Sequence, residues 1–254
     1  MTCPCRLFVI PISHYCERAR WALDHAGVAY KEVRWAVGLH VPLARRIAAG
    51  TGLPILDTGE RIIQGSDRIL DWTGMPGADP ALERRFEDTV APLIRQYVYS
   101  ATLHDPNSNI RDVLFDGVSA MHDHVGRFMW PVTRRLMIRK MDTRPILVPD
   151  LERRLEAELD WFDGRVEGRR FLVGDRFGRA DLTAASLLAP LARPAACPLY
   201  QELALPPRLQ ETFERWSVRP GLHWVGRLYD DHRRSEKDNQ HDGPYPKHAA
   251  STSR

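Results

Sequence analysis

Short apolar runs and helical stripes alternate along the first part of the chain. Four apolar runs predict short strands, at residues 6–10, 30–35, 53–56 and 61–63. A helical stripe that includes Cys16 follows the first run, and further helices are predicted over residues 42–49 and from Ser66 onward. The order strand, helix, strand, helix, strand, strand, helix predicts a small α/β domain over residues 1–75.

The rest of the chain shows helical patterns and no strand pattern. Residues 73–80 are rich in glycine and proline, which predicts a linker over residues 76–84. Residues 85–232 are predicted to form an all-α domain, because apolar residues recur there at helical spacing. The predicted helices cover residues 81–104 with a bend at Pro92, 110–130, 131–141, 149–166, 207–218 and 222–232. Residues 233–254 hold almost no aliphatic side chains and are predicted to be disordered.

Ser13 stands at the start of the first predicted helix, where its hydroxyl fits the N-cap position. A helix N-terminus beside a strand end is a place where a protein can hold an anion such as a thiolate. Cys16 belongs to the apolar stripe, so we interpret it as a small buried side chain with an inert thiol. Cys3 and Cys5 are interpreted as part of a frayed segment before the first strand.

Three separated segments carry a resemblance to a known family. They are the turn at residues 13–18, the tripeptide Gly52, Leu53 and Pro54, and the turn at residues 65–69. Pro54 begins an internal strand, which predicts a cis peptide bond between Leu53 and Pro54. In this order and spacing, and with the helical second half, the chain resembles the glutathione transferase family from about residue 5 to residue 232.

The resemblance implies a thioredoxin-like N-terminal domain that binds reduced glutathione, followed by an all-α C-terminal domain. Ser13 then stabilises the glutathione thiolate, and it needs no base because it only donates a hydrogen bond. Leu53, which directly precedes the expected cis proline Pro54, offers its backbone N–H and C=O to the tripeptide. Glutathione is implied as a co-substrate, with no metal ion.

The resemblance also places the γ-glutamyl end of glutathione at the third helix. Ser66 supplies a hydroxyl and a helix N-terminus to the terminal carboxylate. The family usually has an acid or an amide immediately before this serine, where the present chain has Gly65. Gln64 or Asp67 is then expected to bind the amino group of the γ-glutamyl unit. Two alternatives are that glutathione binds more weakly or that the site takes a different thiol.

The acceptor pocket is expected between the two domains, where ligand sites are common. The candidate lining residues are Tyr15, Trp35, Tyr97, Ser100, His104, Phe128 and Trp130. His122 and His124 are two residues apart on a helix and do not share a face, so no metal site is predicted there. Asp181 precedes an apolar helix and is interpreted as a structural cap, with Gly178 where the family usually has serine or threonine.

Composition narrows the function classes further. The chain of 254 residues has 36 basic and 33 acidic side chains, a net charge of +3, so nucleic-acid binding is not indicated. No apolar run is long enough to span a bilayer. Four cysteines without a secretion signal predict a reduced, cytoplasmic environment. The family resemblance implies a homodimer.

Three functional hypotheses follow. The leading one is a glutathione transferase that conjugates glutathione to a small hydrophobic electrophile, a detoxification reaction. The second is a glutathione-dependent thiol reductase or isomerase, but such enzymes generally have cysteine at the position of Ser13, and Ser13→Cys is expected to shift the chemistry toward disulfide exchange. The third is a non-catalytic binding or scaffold protein, which Gly65 and the basic helix over residues 131–141 favour.

Overall fold

Residues 5–233 are described by the computed structural model, and their first part is built on a four-stranded sheet. Its strands are β1 (Cys5–Val9), β2 (Tyr30–Arg34), β3 (Ile55–Asp57) and β4 (Ile62–Gln64), in the spatial order β2-β1-β3-β4. β1 is parallel to β2 and antiparallel to β3, and β3 is antiparallel to β4. The helices are α1 (His14–His25), α2 (His40–Ile47) and α3 (Ser66–Thr73). This confirms the predicted order and the thioredoxin-like fold.

The alternation of side chains along β1 explains why the sheet is covered on both faces. Leu7 and Val9 pack on one face against Cys16 and other apolar residues of α1 and against Ile69 of α3. Phe8 points to the opposite face, in a cluster with the α2 side of the domain. Successive residues of a strand face opposite sides, so one apolar run serves two layers. The helical stripe through Cys16 is buried, as the sequence predicts.

The second part of the chain is helical. Its elements are α4 (Pro80–Arg85), α5 (Ala91–Thr102), α6 (Ile110–Leu114), α7 (Ala120–Met141), α8 (Val148–Val166), α9 (Arg179–Ala192), α10 (Pro198–Glu202), α11 (Pro207–Ser217) and α12 (Pro220–His232). A π-helical turn, Phe86–Val90, joins α4 to α5 directly before Pro92. Proline lacks an N–H and its ring displaces the carbonyl of the preceding turn, so the irregularity lies where the sequence predicts a bend.

One predicted helix boundary in this part is wrong, and one helix starts inside the predicted linker. α7 continues through Pro131, and the chain is instead interrupted before α7, where Gly117 has φ +60° and Ser119 accepts a hydrogen bond from the His122 N–H (3.4 Å). Pro131 is exposed, so water can reach the carbonyl group that its missing N–H leaves unpaired. α4 begins at Pro80 because Asp79 caps it, so the helix starts inside the predicted linker.

The ends of the described segment also depart from the predictions. Arg233 is the first residue of the predicted disordered tail, but its side chain is only 7% exposed and its guanidinium contacts Glu17 (2.8 Å) and Asp24 (2.6 Å) on α1. Residues 234–254 lie outside the described residues. Cys5 is part of β1 rather than of a frayed segment, and Cys3 lies outside the described residues.

α9 lies at the centre of the molecule and connects the two parts. It packs against α1 of the sheet domain and against α5 and α12 of the helical domain. Its N-terminus also binds the linker, since the N–H groups of Arg179 and Ala180 donate to the carbonyls of Pro76 (2.8 Å) and Gly77 (3.0 Å). These bonds satisfy helix N-terminal donors that have no partner within the helix.

Asp181 caps α9 from inside the helix, as the sequence predicts. It is fully buried, and its two carboxylate oxygens accept from the N–H groups of Leu172 (2.7 Å) and Gly178 (2.9 Å). Gly178 departs from the family pattern for a steric reason, because a Cβ there would lie 2.9 Å from the Pro76 carbonyl oxygen. The close approach of the linker therefore excludes a serine or threonine at this cap.

We expect Asp181→Ala to destabilise the protein by about 2–4 kcal/mol, because it leaves two buried N–H groups without acceptors. Urea denaturation with a fluorescence readout measures this difference. Asp175→Ala in the exposed part of the same loop is the matched control and should change stability by less than about 0.5 kcal/mol. Equal losses in the two variants would contradict the capping role.

Candidate functional site

A cavity of about 220 Å³ lies between the sheet domain and the helical domain. From the sheet domain it is lined by the N-terminus of α1 and the loop before β3, and from the helical domain by α5 and α7 among others. The residues that line this cavity include Ser13, Tyr15, Leu53, Arg95, Tyr99 and Met137. The fold therefore brings two of the three sequence segments singled out above, those of Ser13 and Leu53, onto one cavity.

Ser13 is the N-cap of α1. Its backbone is extended (φ −72°, ψ 122°), and its Oγ accepts a hydrogen bond from the Cys16 N–H at 3.4 Å. The hydroxyl accepts in this bond, so its proton can be donated either to the neighbouring Cys16 sulfur or to a group in the cavity. The side chain is half-buried on the cavity wall. A negatively charged sulfur held there would meet both the hydroxyl and the positive end of α1.

The peptide bond between Leu53 and Pro54 is cis, as the sequence predicts. The carbonyl of Pro54 accepts from the Gly65 N–H (3.0 Å), which fixes the start of β3 against the end of β4. Within residues 5–233 the N–H and C=O of Leu53 have no hydrogen-bond partner, and Leu53 lines the cavity. Leu53 thus presents one donor and one acceptor to an extended ligand.

Gln64 has a structural function in this fold. Its Oε1 accepts from the Gly50 N–H (2.9 Å) and its Nε2 donates to the Gly52 carbonyl (2.8 Å). These bonds hold the loop that leads to the cis proline. Both ends of the amide are therefore occupied before any ligand binds.

Gly65 has φ +106°, a conformation that favours glycine, and a Cβ at this position would lie 2.5 Å from Asp67 Oδ1. The departure from the family pattern at this position therefore has a backbone cause. Asp67 lies half-buried in the first turn of α3. Because of the Gly65–Pro54 hydrogen bond, this turn lies next to the cis-proline loop, although its residues are not among those lining the cavity.

Ser66 is held by an arginine that sequence reasoning missed. The Ser66 side chain is buried, and its Oγ accepts from Arg18 Nε at 3.0 Å. Arg18 also binds both carboxylate oxygens of Glu87 (2.8 and 2.9 Å), so it connects α1, α3 and the π-helical turn. Arg18 Nη1 is buried without a partner among the described residues. A positive charge thus stands directly behind the Ser66 hydroxyl.

Among the predicted pocket residues, Tyr15 lines the cavity and the others lie elsewhere. Trp35 belongs to the sheet core, with its ring 4.6 Å from that of Phe8. Tyr97 lies in the helical core, and its hydroxyl donates to Glu152 (3.4 Å). Ser100 is fully buried on the same helix. These placements correct the predicted lining.

The remaining three predicted pocket residues are also displaced from the cavity. His104 Nε2 hydrogen-bonds the Thr143 carbonyl (2.8 Å). Phe128 is 81% exposed on the outer face of α7, and Trp130 packs edge-on against Phe115. The aromatic residues predicted from the helical part therefore lie in the core or on the outer surface and do not line the cavity.

The charge of the cavity comes from arginine. Burial and the neighbouring Arg95 and Arg18 lower the pKa of His14 to about 3, and burial lowers the pKa of His40 to about 4, so both are neutral near pH 7. Arg95 and Arg193 line the same cavity, and none of its lining residues is an aspartate or a glutamate. The wall is otherwise mainly aliphatic and aromatic.

Neither a metal-binding cluster nor a membrane-spanning helix is found within residues 5–233. No three His, Cys, Asp or Glu side chains in this range are grouped so that they could hold a metal ion. None of the helices in this range has the length and apolar character needed to cross a membrane.

Family models match both parts of the chain. A glutathione S-transferase N-terminal domain model matches residues 7–73, which include the cis-proline loop and the whole of α3. A glutathione S-transferase C-terminal domain model matches residues 121–216. The chain belongs to the glutathione S-transferase family. No curated protein matches it by sequence.

Solved structures of this family share the fold at low sequence identity. Glutathione transferase GSTFuA3 from Phanerochaete chrysosporium is 14% identical, with a TM-score of 0.61, over 93% of this chain and 100% of its own. A transferase of Ceriporiopsis subvermispora in complex with glutathione is 13% identical, with a TM-score of 0.61, over 91% and 98%. One from Methylobacterium radiotolerans, in complex with glutathione sulfonate, is 20% identical, with a TM-score of 0.54, over 99% and 100%.

The rotation of α5 about its own axis explains why the sequence interpretation of this transferase-family chain missed Arg95 and Tyr99. Arg95 and Tyr99 are four residues apart and therefore share one helix face, which faces the cavity. Tyr97 lies on a different face and is fully buried. The spacing of Arg95 and Tyr99 is visible in the sequence, but the direction in which that face points is set by the packing of α5 against α8 and α9.

Cys16 should be inert in the native protein. Its side chain is fully buried, and this burial raises the pKa of its thiol. We expect no alkylation of Cys16 by iodoacetamide at neutral pH, and full alkylation after unfolding in urea, as measured by peptide mass spectrometry. The half-buried Cys5 is an internal comparison. Rapid labelling of Cys16 in the native state would contradict its structural assignment.

Proposed function

We propose that this chain is an enzyme that transfers the sulfur of reduced glutathione to a small hydrophobic electrophile. One observation carries the proposal: the Ser13 hydroxyl and the unpaired backbone of Leu53 face one cavity between the two domains. Glutathione needs both a partner for its peptide groups and a stabilised thiolate. The glutathione complexes among the structural neighbours give the proposal further support.

Ser13 supplies the activation. A hydrogen bond to a charged group contributes about 1.5–3 kcal/mol, and a helix N-terminus adds about 0.3–1 kcal/mol. Since one pKa unit corresponds to about 1.4 kcal/mol, the two effects lower the pKa of a thiol near 8.5 by roughly one to three units. Much of the bound glutathione is then ionised near pH 7.

The rest of the tripeptide is proposed to bind along the loop before β3. Leu53 pairs with the glutathione backbone through its N–H and C=O, and Pro54 fixes the direction of that pairing. The γ-glutamyl carboxylate reaches the N-terminus of α3 at Ser66, whose hydroxyl is held in place by Arg18. The partner of the γ-glutamyl amino group is proposed to be Asp67, because the Gln64 amide is already bonded to the loop.

The reaction is then a nucleophilic substitution or addition. The thiol proton passes to solvent and the thiolate sulfur forms a bond to the electrophilic carbon. In a substitution the bond from that carbon to the leaving group breaks and the leaving group departs with the electron pair. In an addition the carbon or heteroatom that receives the electrons takes a proton from solvent. A detoxification role in the cytoplasm belongs to this proposal.

A thiol reductase is the less favoured alternative. Such chemistry needs an accessible nucleophilic thiol on the protein, and Cys16, three residues after Ser13, is fully buried with a raised thiol pKa. Ser13 occupies the position at which a reactive cysteine would be expected. The transferase mechanism needs the Ser13 hydroxyl and no reactive cysteine.

Ser13→Ala should lower kcat/KM for a neutral acceptor such as chlorodinitrobenzene by about 10- to 100-fold at neutral pH, because the thiolate loses its hydrogen bond. Glutathione affinity should remain, since the backbone contacts at Leu53 are kept. Steady-state kinetics and calorimetry measure the two quantities.

Ser13→Thr, which keeps the hydroxyl and the N-cap, is the matched control. The alanine variant also loses a cap worth about 1 kcal/mol, so its fold is verified by thermal denaturation. Unchanged turnover in Ser13→Ala would remove Ser13 from the mechanism.

A homodimer, which the family resemblance implies, is also part of the proposal. The exposed face of α7 offers a surface for it, since Met121, Val125, Phe128, Val132 and Leu136 form an apolar stripe that no described residue covers. A continuous row of exposed apolar side chains along a surface helix usually marks an interaction surface. The proposal is that a second copy of the chain covers it.

We expect light scattering to give twice the mass of the chain, and the double substitution Phe128→Asp and Val132→Asp to give a monomer, because the charges cannot be buried in an apolar interface. Arg154→Asp on the exposed face of α8 is the control and should leave the dimer intact. A monomeric wild-type protein, or a double variant that stays dimeric, would exclude this interface.

A further inference from the structure

Arg95 is a positive charge on the cavity wall without a counter-ion. It lies half-buried on α5, and within residues 5–233 its guanidinium makes no hydrogen bond and no ion pair. A guanidinium removed from water without an acceptor costs free energy, so such a group is usually paired. Its neighbours on the cavity side are His14, Tyr15 and Tyr99, whose pKa values it influences.

No carboxylate among residues 5–233 forms an ion pair with this guanidinium. None of the lining residues of the cavity is acidic. The nearest carboxylates on the same helical segment are Glu87, which is bound to Arg18, and Asp88, which is exposed. The other arginine of the wall, Arg193, already donates to the carbonyls of Gln201 (2.7 Å) and Leu203 (3.1 Å). Arg95 is thus the lining arginine whose guanidinium has all its donors unpaired among residues 5–233.

We propose that Arg95 binds a carboxylate on the acceptor, so that the preferred acceptors are apolar, aromatic carboxylic acids. The chemical part of this proposal, that an acceptor is conjugated at all, rests on the proposed function. A guanidinium matches a carboxylate with two parallel hydrogen bonds, which also orients the rest of the molecule. The rings of Tyr15 and Tyr99 and the side chains of Val98, Ile110, Leu114 and Met137 provide the apolar wall beside it.

The position of Arg95 distinguishes an acceptor carboxylate from the anionic groups of glutathione. The predicted glutathione anchors Ser13, Leu53 and Ser66 all belong to the sheet domain. Arg95 comes from α5, on the helical side of the cavity, together with the apolar wall. The γ-glutamyl carboxylate is proposed to bind at the N-terminus of α3 beside Ser66, which Arg18 holds from the sheet domain. An anion at Arg95 is therefore assigned to the second substrate.

The test uses unreactive probes, so it does not depend on turnover. Naphthoate and naphthamide have nearly the same shape and differ in charge. Calorimetric titration of the full chain should show that naphthoate binds about 10- to 100-fold more tightly than naphthamide, the ratio expected for a charge-assisted hydrogen-bonded pair. Arg95→Met should bring this ratio close to one, and Arg95→Lys should restore part of it.

Arg84→Met is the matched control, since Arg84 lies exposed on the same helical segment and its removal changes the net charge equally. The control should keep the wild-type ratio. A wild-type ratio near one, a ratio that persists in Arg95→Met, or no binding of either probe would overturn the proposal. Loss of glutathione affinity in Arg95→Met with an unchanged naphthoate ratio would assign Arg95 to glutathione and also overturn it.

The probe titration and the proposed transferase activity can fail separately. Selective binding of naphthoate through Arg95 without turnover of any electrophile would refute the transferase reaction and leave the carboxylate site standing. Turnover of neutral electrophiles without selectivity for naphthoate would support the transferase reaction and refute the carboxylate site.

Discussion

The candidate site depends on the packing of α1 between the sheet and α9. One face of this helix covers the β1 side of the sheet through Cys16 and its neighbours, and the helix packs against α9. A helix fixed in this way cannot shift its N-terminus, so the Ser13 hydroxyl is held at the edge of the cavity. The same packing explains why Cys16, only one turn further along, is removed from solvent and from any chemistry.

A second constraint joins the domains through charged side chains of α1. Arg18 links Ser66 of α3 to Glu87 of the helical domain, and Arg233 at the end of the described segment binds Glu17 and Asp24. Buried pairs of this kind contribute little to stability as such, but loss of one partner leaves an uncompensated charge. Their effect here is positional, because they fix the α3 turn and the helical domain relative to Ser13.

Much of the fold followed from the sequence, because its signals are local. The succession of strands and helices in the first domain, the cis bond at Leu53–Pro54 and the cap at Asp181 were each predicted from short patterns in the sequence. The helical domain was harder to predict. Pro131 suggested a helix boundary, yet an exposed proline is tolerated within α7, and the true interruption is marked by Gly117 and Ser119.

The acceptor side of the site was least predictable. Aromatic side chains at helical spacing suggested Tyr97, but the side of α5 that faces the sheet domain is decided by long-range packing, and it carries Arg95 and Tyr99. Gly65 and Gly178 illustrate the same limit. Both depart from the family pattern, and the reasons, a positive φ at Gly65 and the approach of the Pro76 carbonyl to Gly178, exist only in three dimensions.

The central claim is that this cavity ionises the thiol of glutathione. The most direct measurement is calorimetric titration of the protein with reduced glutathione at two pH values on either side of neutrality, in buffers of different ionisation enthalpy. The account predicts binding accompanied by release of a proton, because a bound thiol with a lowered pKa loses its proton on entering the site. Binding without proton release, or no heat at millimolar glutathione, would contradict it.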